Sequence, residues 1–195
     1  MDRPLHPRPA DRRAGFTVTE LLMVLAILGI MTAIVAPKID LPHFGIDAGM
    51  QLVATTLQAA QRDAVSRQQE VLVSFDTTNR VLRIHWDTNG DHLENPGERV
   101  RLVGLPDGVT FGRPTGVTAR AFGSAAVAFR TINAQPTLVF HRNGSASESS
   151  GFYLTSIRAT RPGAARPDDT RAIEFDRATG RLDWYRYLGA WRRGF

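Results

Sequence analysis

The residues with the most distinctive chemistry stand at the mouth of an apolar run. Gly15-Phe16-Thr17-Val18-Thr19-Glu20 precedes sixteen uncharged residues, Leu21 to Ala36, and four arginines (Arg3, Arg8, Arg12, Arg13) lie upstream. Scission after Gly15 would free the amine of Phe16 and leave the apolar run on the product. The new ammonium would sit one helical turn from Glu20, and a neighbouring copy could present its own to that carboxylate. Glu20 is the only charged residue between Phe16 and Pro37. A carboxylate inside a membrane span costs roughly 2.5–3.5 kcal/mol on insertion scales. Another subunit that brings a cation relieves this cost, so the charge that opposes burial becomes a force for assembly.

Three further groups could carry chemistry. Asp87, Asn89, Asp91 and Glu98 fall at positions 1, 3, 5 and 12 of a calcium-loop template. His92 stands where that template requires glycine, and Pro96 and the flanking strand-like runs do not suit an EF-hand. A polar hairpin turn, with Asn89-Gly90 supplying positive φ, accounts for the same residues, and no metal or other cofactor is expected. The histidines (His6, His43, His85, His92, His141) form no pair at a metal-ligand spacing. His85 and His141, inside strand runs, are expected to be satisfied by neighbours. Ser145, Ser147, Ser149 and Ser150 read as a flexible Gly/Ser loop, because no Gly-x-Ser-x-Gly and no base accompanies them. No catalytic residue is expected. At the C-terminus, Arg181, Trp184, Tyr185, Arg186, Tyr187, Trp191, Arg192 and Arg193 interleave cations with rings. Such a surface could hold phosphates and stack bases. Plain strand alternation, with Leu182 and Trp184 inward and the arginines in solvent, is the other reading.

The elements that position these groups follow from pattern. The 22 residues from Phe16 to Pro37 suffice for a membrane helix, and the basic leader keeps residues 1–15 in the cytoplasm with the remainder exported. In a secretory signal peptide the small residue of the cleavage site follows the apolar run; here Gly15 precedes it. Roughly 145 residues follow the span, enough for one domain with its own core. The chain has no cysteine and carries a net charge of +5, so an exported domain must rely on its core or on assembly. Pro37, Pro42, Gly45 and Gly49 predict a kink or melted stretch over 37–46, with Asp47 as N-cap of a second helix reaching about Gln68. Its apolar positions (Met50, Val53, Ala54, Leu57, Ala60, Ala64) recur at spacings of three and four. Strand runs are read at 71–75, 81–86, 99–103, 109–112, 125–130, 137–141, 152–158, 171–176 and 181–187, with a hairpin at Asp76-Thr77-Thr78-Asn79. A helix followed by many antiparallel strands is an α+β fold.

Gly15 to Leu21 resembles the prepilin processing motif of type IV pilins and type II secretion pseudopilins. That resemblance implies cleavage between Gly15 and Phe16 by a membrane prepilin peptidase/methyltransferase, N-methylation of Phe16, subunit pairing through Glu20 and a helix bend at Pro37. The stretch Leu52 to Val73, the Asp87-Thr88-Asn89-Gly90-Asp91 hairpin, Val139 to Gly144, Ile173-Glu174-Phe175 and Thr179-Gly180-Arg181-Leu182 resemble the GspH/FimT-like pseudopilins, with insertions at Ser145–Gly151 and Arg161–Asp169. The implied fold is pilin-like: a long N-terminal transmembrane helix packed on an antiparallel β domain. The implied organisation is a cleaved leader over 1–15, a transmembrane helix over 16–37, a kinked extension and amphipathic helix over 38–68, and a periplasmic β domain over 69–195. The resemblance implies a structural subunit and not an enzyme: a minor pseudopilin anchored in the bacterial inner membrane, whose partners are the other pseudopilins or pilins of its filament. The FimT-like minor pilins of competence systems bind DNA through a glycine-arginine-x-arginine element. Here that element reads Gly180-Arg181-Leu182-Asp183, and Asp183 would repel phosphate. Arg181, Arg186, Arg192 and Arg193 are the possible DNA contacts. A plain membrane-anchored β domain outside any filament is the third reading.

Overall fold

The computed structural model describes residues 16–35, 41–164 and 166–194. Gly15 and Pro37 lie outside the described residues. The chain divides into two units, residues 1–40 and 41–195. The architecture is the expected α+β one, helices first and antiparallel sheets after.

In the first unit, α1 (Val18–Val35) begins where Thr17 caps it: Thr17 Oγ1 accepts the Glu20 N–H at 3.2 Å. Glu20 therefore sits in the first turn, facing the positive end of the helix dipole. Leu21, Leu22, Met23, Val24, Leu25, Ile27, Leu28, Ile30 and Met31 are all exposed. A helix that is apolar on every face is suited to an apolar surround. Among the described residues no helix is long and apolar enough to cross a membrane; the span read from the sequence runs to Pro37, past the described end of α1.

In the second unit, α2 runs from Leu41 to Arg67. It starts before the expected Asp47 N-cap, and residues 41–46 are helical rather than melted. Pro42 falls in the first turn, where a missing N–H leaves no bond unmade. Gly49 lets the helix approach the sheet: a Cβ there would stand 3.2 Å from Val109 Cγ1. Gln68, at φ 54°, takes the left-handed position that ends the helix. The stripe read from the sequence is the buried face, as Met50, Val53, Leu57, Ala60 and Ala64 are all in the core.

Among the described residues ten strands follow, in two antiparallel sheets. The first has the order β3 (Arg99–Gly104), β2 (Val81–Asp87), β1 (Glu70–Asp76), β6 (Gln135–Phe140), β5 (Thr131–Ile132). The second has the order β10 (Trp191–Arg193), β9 (Leu182–Tyr187), β8 (Arg171–Phe175), β7 (Gly151–Ser156), β4 (Val109–Phe111). The run 125–130, expected as a strand, only bridges β7 at Val127↔Phe152, with Ala128 N–H on Gly151 O and Tyr153 N–H on Ala126 O. β4 already occupies the far half of the same β7 edge, which leaves room for a bridge and no more. Gly151 starts β7 because a Cβ there would lie 2.2 Å from Ile173 O of β8.

The core is an aromatic chain between the sheets. Phe75 of β1 lies 5.0 Å from Phe152 of β7 and 5.2 Å from Phe129, and Phe129 contacts Phe175 of β8 at 5.8 Å. Gln61 of α2 ties both sheets to the helix: its Nε2 donates to Gly144 O at 2.7 Å and to Thr179 O at 2.9 Å. The serine loop is not free. Ser150 Oγ donates to Ala128 O, Ser147 Oγ accepts the Val139 N–H and Ser149 Oγ accepts the Arg177 N–H.

Asp47, inside α2, has a different task from capping. Its Oδ1 accepts Nε of Arg171 at 2.8 Å, and Arg171 is fully buried. Nη1 of Arg171 donates to the carbonyls of Asp168 and Thr170. Removing Asp47 leaves the Arg171 charge buried and unpaired, which costs about 3 kcal/mol or more, whereas removing Arg171 leaves an Asp47 carboxylate whose side chain is 50% exposed and open to water. Asp47→Ala should therefore destabilise the chain more than Arg171→Met in urea denaturation. The reverse order would mean that the Asp47 contact contributes little.

Candidate functional site

At the amino end, Phe16 is 84% exposed and Glu20 is also exposed. Phe16 lies two residues before α1, and Glu20 lies in its first turn.

The loop from Asp87 to Glu98 uses its acidic groups on itself. Asp87, nearly fully buried, accepts the Gly90 N–H on Oδ1 at 2.6 Å and the His92 N–H on Oδ2 at 2.8 Å. Asp91 accepts the Leu93 N–H and the Asn95 side chain, and Asn89 accepts the Asp91 N–H. Glu98 accepts the N–H and hydroxyl of Thr88 on Oε1, and the Asn95 N–H and His85 Nε2 on Oε2, all within 3.0 Å. Asp87, Asn89, Asp91 and Glu98 therefore close a polar hairpin by accepting hydrogen bonds from the loop itself. The Asn95 and Thr88 backbone N–H groups, with the His85 ring, hold the Glu98 carboxyl down at about 2.

The consequence has a defined sign. A carboxyl whose folded pKa is depressed stabilises the fold fully above its unfolded value, about 4.3, and loses that contribution as pH falls toward 2. Hydrogen-exchange protection of the Thr88 and Asn95 amides should hold down to about pH 4.5 and fall below it. A Glu98 carboxyl titrating near about 4.3 in the folded chain would refute this closure.

His85 and His141 are satisfied by neighbours, as expected: His85 Nε2 by Glu98 and His141 Nδ1 by Glu70 Oε1, each at 2.8 Å. His92 was not foreseen as their companion. Its Nε2 lies 2.8 Å from Glu70 Oε2, so one carboxylate receives two imidazoles. Burial raises the Glu70 pKa, but the two imidazole contacts outweigh it and hold the carboxyl below its ordinary range.

At the carboxyl end, strand alternation divides the four candidate arginines. Arg193 pairs Tyr185 in register, Asp183 shares that face of β9, and Arg181 lies just before the strand. Asp183 binds both Arg181 Nη2, at 2.8 Å, and Arg193 Nη2. Arg186 and Arg192 are register partners on the opposite face, in line with Arg171. The rings are engaged too. The Arg120 guanidinium lies 3.6 Å from the Tyr185 ring centre and is itself held by Glu174 at 2.6 and 2.7 Å. Trp191 packs edge-on against Tyr187 at 5.1 Å and donates Nε1 to Thr118 O. Trp184 turns inward against the core, as alternation predicts. Strand β10 was missed because three residues after Leu188-Gly189-Ala190 carry too short a period to read.

Residues 11–36 match the model of the prokaryotic N-terminal methylation motif. The prepilin-type processing segment read from Gly15 to Leu21 lies inside this match. Among solved structures, the chain is similar to the minor pseudopilin EpsH from the type 2 secretion system of Vibrio cholerae, with 17% identity and a TM-score of 0.42 over 71% of this chain and 93% of that one. No curated protein sequence matches the chain.

Proposed function

We propose that this chain is a minor pseudopilin, a structural subunit of the periplasmic pseudopilus of a type II protein secretion system. The observation that carries this reading is the methylation motif at residues 11–36 running directly into a helix exposed on every apolar face, whose one charge is Glu20. Cleavage after Gly15 by the prepilin peptidase/methyltransferase turns Phe16 into a cationic end. The inner membrane holds residues 16–37 until neighbouring subunits take over their burial. Glu20 then pairs with the Phe16 ammonium of an adjacent copy or of another pseudopilin, and the exported β domain stays in the periplasm. The chain acts by position and contact, with no catalytic group.

Glu20→Ala should be shortened and methylated like the wild type yet fail to co-purify or cross-link with partner subunits from membranes. Unchanged assembly would end the pairing role. The second reading, a FimT-like minor type IV pilin binding DNA in natural transformation, draws on the exposed arginines of β10. Asp183 between Arg181 and Arg193, and the division of the four arginines between two faces, weigh against it. Titrating the full chain in detergent with double-stranded DNA at two salt concentrations separates the two. Micromolar binding that weakens steeply with salt, and is lost on replacing Arg181, Arg186, Arg192 and Arg193, supports the DNA pilin. Absence of binding at low salt supports the secretion subunit.

A further inference from the structure

We propose that Glu70, Asp87 and His92, with His141 beside them, form a binding site for a divalent transition-metal ion of the Zn²⁺ class. Oxygen atoms of Glu70 and Asp87 and a ring nitrogen of His92 all lie within 4.8 Å of one another. Strand register brings them together. Glu70 opens β1 directly opposite Asp87, the last residue of β2. On the other side of β1, Val71 pairs with Phe140, so His141 arrives beside Glu70.

The loop that delivers His92 is built for the purpose of holding one ring in place. His92 adopts φ 60°, a left-handed backbone that non-glycine residues seldom take. Asp87 Oδ2 holds its N–H at 2.8 Å and Asn133 Nδ2 holds its carbonyl at 2.7 Å, so the bend is braced from the end of β2 and from the turn between β5 and β6. Each Asp87 oxygen receives one loop N–H and keeps a further lone pair. The side chains of Glu70, His92 and His141 are 21, 34 and 40% exposed, open to an ion from solvent, while Asp87 forms the buried floor.

The donor set selects the ion. Calcium and magnesium take oxygen ligands almost exclusively, and an imidazole beside carboxylates suits zinc and its first-row neighbours. Two carboxylates balance a divalent charge. Without a metal, Glu70 Oε2 and His92 Nε2 share a hydrogen bond at 2.8 Å; an ion takes the place of that proton, which passes to solvent or to Nδ1 of the ring, and joins the same two atoms. The bound ion would lock the 87–98 loop to the end of β1. Simple pairing of two imidazoles with Glu70 is the competing account of the same contacts.

The test is a titration of the full chain in detergent with Zn²⁺ by calorimetry and with Co²⁺ by visible absorption, in a His6→Ala/His43→Ala background that removes the histidines elsewhere in the chain apart from His85. One ion per chain is expected, with the d–d absorption of a four- or five-coordinate Co²⁺ and ¹⁵N shifts at His92 in NMR that leave His85 unmoved. Glu70→Gln and His92→Gln should each weaken Zn²⁺ binding by more than about tenfold. Because the shifts are read on the unsubstituted site, the outcome does not depend on those variants folding. Binding that disappears with His6 and His43, an equal response to Ca²⁺, or no Zn²⁺ binding at micromolar ion would overturn the proposal.

Discussion

Gly15→Ala should leave the chain at its full 195 residues instead of a product lacking the leader. Glycine leaves no side chain beside the cleaved bond and so allows close approach of a peptidase, which an added Cβ obstructs. Intact mass spectrometry of membrane fractions should show only the precursor, with no N-methylated Phe16. The effect is all-or-none, because an uncleaved leader keeps the Phe16 nitrogen in an amide and no cation is made. This separates it from Glu20→Ala, for which processing should be normal and assembly lost. Normal shortening of the Gly15 variant would remove the prepilin reading altogether.

The second large effect lies in the core. Phe152 has no solvent exposure and touches Phe75, Phe111 and Phe129 at ring distances of 5.0, 6.0 and 6.4 Å. It joins the first sheet to the second, so truncation empties the space that both sheets share. Phe152→Ala should cost about 3–5 kcal/mol, a large part of the total for a domain of this size. With no cysteine in the chain, no disulfide limits the loss. Urea denaturation measures it, and a cost under about 1 kcal/mol would mean that the two sheets are held by α2 and not by the aromatic chain.

Much of this arrangement can be read in the residues, for physical reasons that also mark where the reading stops. The stripe from Met50 to Ala64 has the helical period because one side of α2 faces both sheets, and β1 and β2 show apolar runs bounded by an Asp-Asn turn. The start of α2 was hidden because Pro42 and Gly45 discourage helix by propensity, while packing and first-turn placement override propensity. The run 125–130 has strand composition, but its partner edge is divided with β4, which no local pattern reports. The Glu70–His92–His141 cluster arises from register between distant strands, so no spacing along the chain announces it. The C-terminal arginines showed cation and ring content. Their separation onto two faces was already implicit in the period of two, because Arg181 and Arg186 differ in parity.

The two sheets stop at β3 and β5, and at β10 and β4. β3 ends its sheet with exposed Arg99 and Arg101, and β10 ends the other with exposed Arg192 and Arg193. Short, cationic margins of this kind resist the strand-on-strand pairing through which β domains coalesce when crowded. At these two margins, copies of the chain are thereby kept from joining their sheets edge to edge, and each β domain stays a separate body.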